Sequence, residues 1–232
     1  MNKIEVKVGG KILNFNVRDD ADESVCAEVF KHHEYRVAEN YIRDIKKGVI
    51  VDVGAHAGFF SVYAKAINPS VRIIAVEPET KNIEALRENL KLNRISDVEI
   101  IEGALAGDSG RRNLALAKDS HNHRLLQRKE SKNVETIIVN TWSLPELTKK
   151  CIIDHIGLLK IDIEGAEYEI FSALSEDDMA SISAVVLEYH NGKLGKGKEI
   201  EEKLRENGFG VQTFPSKFDN KMGIIFARNK RS

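Results

Sequence analysis

The chain of 232 residues lacks the features that mark secreted, membrane-spanning or polyanion-binding proteins. It has two cysteines, Cys26 and Cys151, which are far apart and show neither CxxC nor metal-site spacing. No secretory leader is recognisable, and no apolar run approaches the roughly 18 residues that cross a bilayer. The formal net charge of −1 argues against holding a nucleic acid by bulk electrostatics, although a local basic face would suffice. We therefore expect a cytoplasmic protein with free thiols and no membrane contact.

What the chain does contain is a regular alternation of short apolar segments with amphipathic ones. Strands alternating with helices of this length predict right-handed βαβ units and a parallel sheet covered on both faces. The predicted strands are VIVDV, VRIIAVEP, VEIIEGALA, IGLLKIDI and ISAVVLEYH, and the predicted helices are FFSVYAKAI, TKNIEALRENLKLN, AEYEIFSAL and KGKEIEEKLRENG. The last two strands, FGVQTF and KMGIIFARN, are joined by a short polar connection and predict an antiparallel hairpin.

The expected fold is α/β: a doubly wound, mostly parallel sheet of seven strands that ends in an antiparallel hairpin. This is the layout of the class I (Rossmann-like) methyltransferase fold. We expect this domain to occupy residues 48–232, with an interruption at about 107–141 in which RRNLALA and ETIIVNTW are short strands. Residues 1–47 are expected to form an extension, with a β-hairpin around Gly9–Gly10 followed by one helix over 23–46.

The segment VIVDVGAHAGFF predicts a ligand site where the first sheet strand turns into a helix. Gly54 and Gly58 permit close approach of the backbone to a ligand, and Asp52 directly precedes them. A dinucleotide fingerprint does not fit, because His56 and Phe59 occupy positions that require glycine. An acidic residue before the turn instead suits a cofactor that carries positive charge, such as S-adenosylmethionine.

The ends of the next two strands complete the predicted cofactor site. Glu77, followed by Pro78, is placed to accept the ribose hydroxyls, and the backbone of Gly103 and Ala104 borders the adenine. Ala55 and His56 are further candidates for cofactor contact, although His56 can equally be a structural turn residue. In the alternative interpretation, Asp52 only caps the turn and Glu77 is a surface charge.

The segment LLKIDIEGAEYEIF (158–171) places charged residues at the end of a predicted core strand. Lys160, Asp162 and Glu164 alternate along it, so they share one side of the strand and open into the same crevice as the cofactor turn. We predict that they are catalytic. Glu164 can alternatively cap the following helix, and Lys160 can simply neutralise Asp162.

The segments DVGAHAGFFS, VEPE, NLKLN and above all KIDIEGAEYEIF resemble the FkbM-type methyltransferases. The similarity covers residues from about 34 to about 190, beginning at Glu34 and Tyr35. It implies a class I fold and O-methyl transfer from S-adenosylmethionine, but it does not identify the acceptor, which varies within the family.

Acceptor contacts are predicted from three places in the chain. Glu34 and Tyr35 lie at the start of the resemblance, and Glu188 lies in LEYH at the end of the fifth strand. The stretch KDSHNHRLLQRKESKN departs from the family; it is basic and contains His121, His123 and Arg124. It is either a solvated loop or a lid that contacts an anionic acceptor.

An alcohol acceptor must lose its proton as the methyl group arrives. His190 or Asp162 is the predicted general base. The alternative, in which His190 and the carboxylates hold a divalent metal, is less favoured because their spacing matches no tight metal pattern. We accordingly assign no metal ligands.

The leading functional hypothesis is O-methylation of a small molecule or saccharide. The alternatives are an RNA methyltransferase that acts on a ribose 2′-hydroxyl and a non-catalytic sensor of S-adenosylmethionine. A nucleotide-dependent oxidoreductase fails on the glycine pattern.

Overall fold

The computed structural model describes residues 2–117, 124–126, 135–163, 165–190, 196–216 and 222–231, with only the backbone described at His190 and Lys196. In chain order the elements are β1 (Asn2–Val8), β2 (Lys11–Val17), α1 (Asp20–Phe30), α2 (Arg36–Asp44), β3 (Val49–Val53), α3 (Phe59–Ile67), β4 (Arg72–Glu77), α4 (Thr80–Leu92), β5 (Val98–Glu102), β6 (Ala104–Leu105), β7 (Gly110–Ala115), β8 (Arg124–Leu125), β9 (Thr136–Trp142), α5 (Leu144–Lys150), β10 (Ile156–Ile161), α6 (Glu167–Ala173), α7 (Glu176–Ala180), β11 (Ala184–His190), α8 (Lys196–Glu206), β12 (Phe209–Pro215) and β13 (Met222–Asn229).

The central sheet confirms the predicted fold. Its seven strands run in the order β12-β13-β11-β10-β3-β4-β5, and β13 alone runs in the direction opposite to the other six. Strands β3 and β10 are buried along their whole length, which explains why their sequences are nearly continuous apolar runs. The strand order reverses between β3 and β10, so their carboxyl ends flank the crevice where α/β sheets bind ligands.

Helices cover both faces of this sheet. One core cluster contains apolar residues of α1–α4 and the other contains those of α5–α8. Alternate residues of β3 belong to different clusters: Ile50 belongs to the first cluster, and Val49, Val51 and Val53 belong to the second. This two-layered covering is the doubly wound arrangement expected from the alternation of strands and helices.

The N-terminal hairpin packs on the same core as the sheet. Strands β1 and β2 pair through the turn at Gly9–Gly10, as predicted. Phe15 and Val17 of β2 are each 1% exposed and belong to the core cluster that includes α3 and α4. The hairpin therefore buries its apolar face against the sheet domain of its own chain.

The helix predicted over 23–46 is wrong: the structure has α1 and α2 with a turn between them. The backbone N–H groups of Lys31 and His32 both donate to the carbonyl of Ala27, which ends α1. His33 then adopts a left-handed backbone with φ 57° and redirects the chain. The apolar spacing continues across the break because both helices pack on the same core, so the periodicity gave no sign of it.

The interruption contains a second, smaller sheet in the order β6-β9-β7-β8. The strands predicted from RRNLALA and ETIIVNTW are β7 and β9, and they pair antiparallel. The single strand predicted over VEIIEGALA divides at Gly103 into β5 and β6, which belong to different sheets. The short helices α5 and α7 were not predicted. No helix within the described ranges is long and apolar enough to cross a membrane.

Candidate functional site

The turn between β3 and α3 packs tightly against the elements around it. At Gly54, with φ +72°, an added Cβ would lie 1.9 Å from the carbonyl oxygen of Asp162. At Gly58, with φ +86°, it would lie 2.3 Å from Cδ1 of Leu86. His56 between them also has a positive φ, 49°. The turn therefore requires glycine for its contacts with the end of β10 and with α4.

Lys160 is buried beneath this turn, where oxygen atoms surround its ammonium group. Its Nζ donates to the carbonyls of Gly54 (2.9 Å) and Val53 (3.2 Å), and lies 3.1 Å from Asp52 Oδ1 and 3.5 Å from Asp162 Oδ2. Burial lowers the pKa of Lys160, but the attraction of Asp52 and Asp162 outweighs it, and the net shift is upward. Lys160 thus stays charged at neutral pH, so it fixes the turn and neutralises carboxylates but cannot accept a proton.

Asp52 is fully buried and is engaged within the chain. Its Oδ2 accepts a hydrogen bond from Ser61 Oγ at 2.7 Å, and its Oδ1 faces Lys160. The carboxylate therefore ties β3 to α3 and β10. It offers no exposed surface to a ligand.

Glu77 lies at the end of β4 with 4% of its surface exposed. It accepts hydrogen bonds from His56 N (2.9 Å), Glu79 N (3.0 Å) and Asn82 Nδ2 (3.1 Å). Burial raises the pKa of Glu77, although these three bonds oppose the rise. Since a carboxylate has about four acceptor positions, about one is left for a ligand.

The remaining predicted cofactor residues surround the same crevice. The backbone N–H of Ala55 donates to Val76 O at 3.2 Å, and that of Gly103 donates to Glu77 O at 3.0 Å. A cavity of about 40 Å³ remains among them, lined by Gly54, Pro78, Ala104, Ile163, Ala166, Arg124 and Leu125. Residues 124–126 occupy this end of the site, held on β7 by a hydrogen bond from Leu126 N to Asn113 O at 2.9 Å. Arg124, predicted as an acceptor contact, therefore lines a cavity with three of the predicted cofactor residues, Gly54, Pro78 and Ala104.

A much larger cavity, of about 1010 Å³, opens between the α1–α2 turn and the β12–β13 hairpin. Its lining includes the half-buried carboxylates Glu28, Glu34 and Glu188, together with the exposed aromatic ring of Phe214. The basic residues of its lining, Lys31, His32, His33 and Arg36, are exposed. The more deeply placed charges of the cavity are thus acidic.

Tyr35 joins this cavity to the end of β10. It is buried next to Glu34 in the chain, and its hydroxyl donates to Asp162 Oδ2 at 2.9 Å. Burial is the main cause, and the Asp162 carboxylate the second, of a pKa of Tyr35 well above its ordinary value, so its hydroxyl remains a donor. Burial, reinforced by Glu28 and Asp162, raises the pKa of Glu34 to about 7. The structure thus brings together three predicted residues: Glu34, Tyr35 and Asp162.

Several predicted residues are not described in the structure. Glu164, His121 and His123 lie outside the described residues, as does the side chain of His190, whose backbone ends β11. Within the described residues, no three His, Cys, Asp or Glu side chains converge as metal ligands. The roles predicted for these residues stay predictions.

Three buried or half-buried polar residues beside the turn were missed in the sequence. Arg18 and Asp22 form an ion pair with a separation of 2.7 Å, and Arg18 also binds Asn82. In the sequence, an arginine and an aspartate four residues apart near a helix start indicate only an exposed pair. Nothing in the pattern indicates that Asp22 is fully buried.

Comparison with known proteins gives one family match. The profile of the Methyltransferase FkbM domain matches residues 52–211. The chain is similar to the methyltransferase sdnD of Sordaria araneosa, with 26% identity over 81% of this chain and 82% of that protein. It is also similar to the 31-O-demethyl-FK506 methyltransferase FkbM of Streptomyces tacrolimicus, with 27% identity over 78% and 82% of the two chains.

Solved structures of low sequence identity share the fold. The precorrin-6y C5,15-methyltransferase of Geobacter metallireducens GS-15 has a TM-score of 0.51 at 17% identity, covering 84% of this chain and 86% of that one. An rRNA methylase of Streptococcus thermophilus has a TM-score of 0.53 at 8% identity, covering 84% and 96%. At such identities the likeness shows the fold alone.

Proposed function

The chain belongs to the FkbM methyltransferase family and is an S-adenosylmethionine-dependent methyltransferase, and from that premise we propose that it methylates a hydroxyl oxygen of a small molecule or saccharide. The observation that carries the proposal is the large cavity at the ends of β11 and β13, which reaches Glu34 beside Tyr35 and Asp162. A relative's name, 31-O-demethyl-FK506 methyltransferase, supports an oxygen acceptor on a small molecule.

We propose that the cofactor lies in the crevice at the carboxyl ends of β3, β4 and β5. The β3–α3 turn lies where open α/β sheets bind ligands, and the backbone of Gly103 and Ala104, next to the end of β4, suits an adenine. Because Glu77 has about one acceptor position left, we expect it to bind one ribose hydroxyl directly rather than both. The buried Asp52 acts through Lys160, which holds the turn.

S-adenosylmethionine, when bound, supplies an electrophilic methyl group on sulfur. The protein must orient the acceptor oxygen and remove its proton, and we propose that the large cavity performs both tasks. Glu188 and Glu34 accept hydrogen bonds from acceptor hydroxyls, and Phe214 offers an apolar face for a ring. The acidic interior disfavours phosphate-bearing acceptors by charge repulsion.

Glu34 is the proposed proton acceptor. A general base works best when its pKa lies near the working pH, and the pKa of Glu34 is raised to about 7. Asp162, one of the two bases predicted from the sequence, is already engaged through Oδ2 by the Tyr35 hydroxyl and by Lys160. We therefore assign it an orienting role. His190 stays the alternative base.

The reducing, cytoplasmic location predicted from the sequence is also part of this proposal. Cys26 and Cys151 are both free and buried, and burial raises the pKa of Cys26 to about 11. Thiols of this kind are unreactive and typical of proteins that do not form disulfides.

The test is transfer of a labelled methyl group from S-adenosylmethionine into extract of the source cells, with and without ribonuclease treatment. The expected result is label in small molecules or glycans that resist ribonuclease. Transfer of label to them should fall by about 100-fold or more in the Glu34→Gln variant. Label that disappears after ribonuclease treatment would replace this proposal with RNA methylation. Cofactor binding without transfer to any fraction would indicate a sensor.

A further inference from the structure

Asp22 is a fully buried carboxylate in the first turn of α1. Two of the three guanidinium nitrogens of Arg18 donate to it, Nη2 to Oδ1 at 2.7 Å and Nε to Oδ2 at 2.8 Å, and the backbone N–H of Arg18 donates to Oδ2 at 2.8 Å. Burial alone would raise the pKa of Asp22, but the hydrogen bonds from Arg18, together with the charges of His56 and Arg18, outweigh it, and the net shift is downward. Asp22 therefore stays ionised, in a bidentate pair of well-defined geometry.

Two chains of contacts lead from this pair to Glu77. On one side, Arg18 Nη2 donates to Asn82 Oδ1 at 2.8 Å, and Asn82 Nδ2 donates to Glu77 Oε1 at 3.1 Å. On the other side, Asp22 Oδ1 lies 3.4 Å from His56 Nε2, and the backbone N–H of His56 donates to Glu77 Oε2 at 2.9 Å. The five residues close a ring, which we call the Glu77 clamp.

The Glu77 clamp joins Glu77 to two elements beside the proposed cofactor crevice, α4 and the β3–α3 turn. One carboxylate oxygen of Glu77 is held from α4 through Asn82, and the other from the β3–α3 turn through His56. His56 has a left-handed backbone, which persists in folded proteins only where the surroundings hold it in place. Asp22 is one of the groups that contact its side chain.

We propose that Arg18 and Asp22 are positioning residues for S-adenosylmethionine: through His56 and Asn82 they hold Glu77 and the glycine turn in the geometry that binds the cofactor. The inference rests on the cofactor placement given under Proposed function. Both residues precede the range 52–211 that matches the family profile, so the N-terminal segment contributes to cofactor binding. Neither residue is required to touch the cofactor.

Binding of S-adenosylhomocysteine, measured by isothermal titration calorimetry, tests this without any acceptor. We expect Asp22→Asn and Arg18→Gln each to weaken binding by about tenfold, the equivalent of one hydrogen bond to a charged group. The matched control is Arg205→Gln, which breaks the ion pair of Arg205 with Glu201 on α8. The two residues are also four positions apart with a separation of 2.7 Å, but α8 lies on the opposite face of the sheet. The control should bind within about twofold of the unaltered protein.

A double-mutant cycle separates positioning from general loss of stability. If the clamp acts through Glu77, Asp22→Asn should cost little further affinity once Glu77→Gln is present. If Arg18→Gln or Asp22→Asn lacks a cooperative thermal transition, Arg18→Lys is measured in its place, since one amine cannot reproduce the bidentate contact.

Affinities equal to that of the unaltered protein, or losses that add fully to that of Glu77→Gln, would overturn the inference. Failure of the unaltered protein to bind S-adenosylhomocysteine would instead contradict the proposed cofactor site itself.

Discussion

Replacing Glu34 by glutamine tests the proposed proton acceptor without a substrate, because it should change the free energy of unfolding in a pH-dependent way. Burial, together with Glu28 and Asp162, raises the pKa of Glu34 from 4.5 to about 7 in the folded state. In the unfolded chain the carboxyl titrates near its ordinary value. Between these two pKa values the folded state keeps a proton that the unfolded state has released. Stability contributed by the neutral carboxyl is therefore lost as the pH rises from about 4.5 to about 7, and the loss is complete above that.

The magnitude follows from the same pair of pKa values. The difference between 4.5 and about 7 corresponds to roughly 3.4 kcal/mol at about 1.36 kcal/mol per pH unit. Glu34 is only half-buried, and solvent screening reduces the cost to about 1–2 kcal/mol. Glutamine has nearly the same shape and does not ionise. Glu34→Gln should therefore be about 1–2 kcal/mol more stable than the unaltered protein at pH 8, and nearly equal to it at pH 4.5.

Urea unfolding at pH 4.5 and pH 8, followed by circular dichroism, measures this difference. The control is Glu84→Gln on α4, which makes the same change at an exposed position. A Glu34→Gln variant that is less stable at pH 8, or that differs from the unaltered protein equally at both pH values, would refute the argument. A gain in stability with a loss of methyl transfer would show that the protein tolerates an unfavourable charge for its reaction.

Three further predictions concern the same site. Lys160→Met should lower the free energy of unfolding by about 3–5 kcal/mol, because it leaves Asp52 buried without its cation. Adding Asp52→Asn should recover part of that loss, and urea unfolding of the single and double variants measures both effects. Gly54→Ala should abolish binding of S-adenosylhomocysteine in calorimetry, since its Cβ would lie 1.9 Å from the Asp162 carbonyl; binding of normal affinity would contradict the described turn. Dialysis against EDTA should leave methyl transfer unchanged, whereas loss restored by Mg²⁺ or Mn²⁺ would support the metal alternative.

The sequence predicted the elements whose pattern is set by burial on both faces of a sheet. Strands β3 and β10 are fully buried, so each reads as an apolar run, and the helix that follows β3 has an apolar face against the core. The glycine turn could be found because its tight contacts exclude any side chain at Gly54. These signals are local, and each arises within a few residues.

The features that the sequence did not reveal depend on contacts distant in the chain. The break between α1 and α2 leaves the apolar spacing intact, because both helices face the same core. Asp52 was expected to face the cofactor, but its carboxylate faces the buried Lys160. That contact depends on the pairing of β10 with β3, which are distant in the chain. The link from Asp22 to His56 joins residues 34 positions apart that carry no shared pattern.

The N-terminal segment lies against both ends of the proposed site for a structural reason. Its hairpin and α1 pack on α3 and α4, the helices that follow β3 and β4. This packing places Arg18 and Asp22 against His56 and Asn82, beside the proposed cofactor crevice. The turn after α1 then passes the end of β10, which brings Tyr35 to Asp162 and Glu34 into the large cavity. One segment ahead of the family match thus contacts the proposed cofactor site through α1 and the proposed acceptor site through the turn that follows it. A substitution in this segment should therefore affect the affinity for S-adenosylhomocysteine or the transfer step according to which of these two parts it changes.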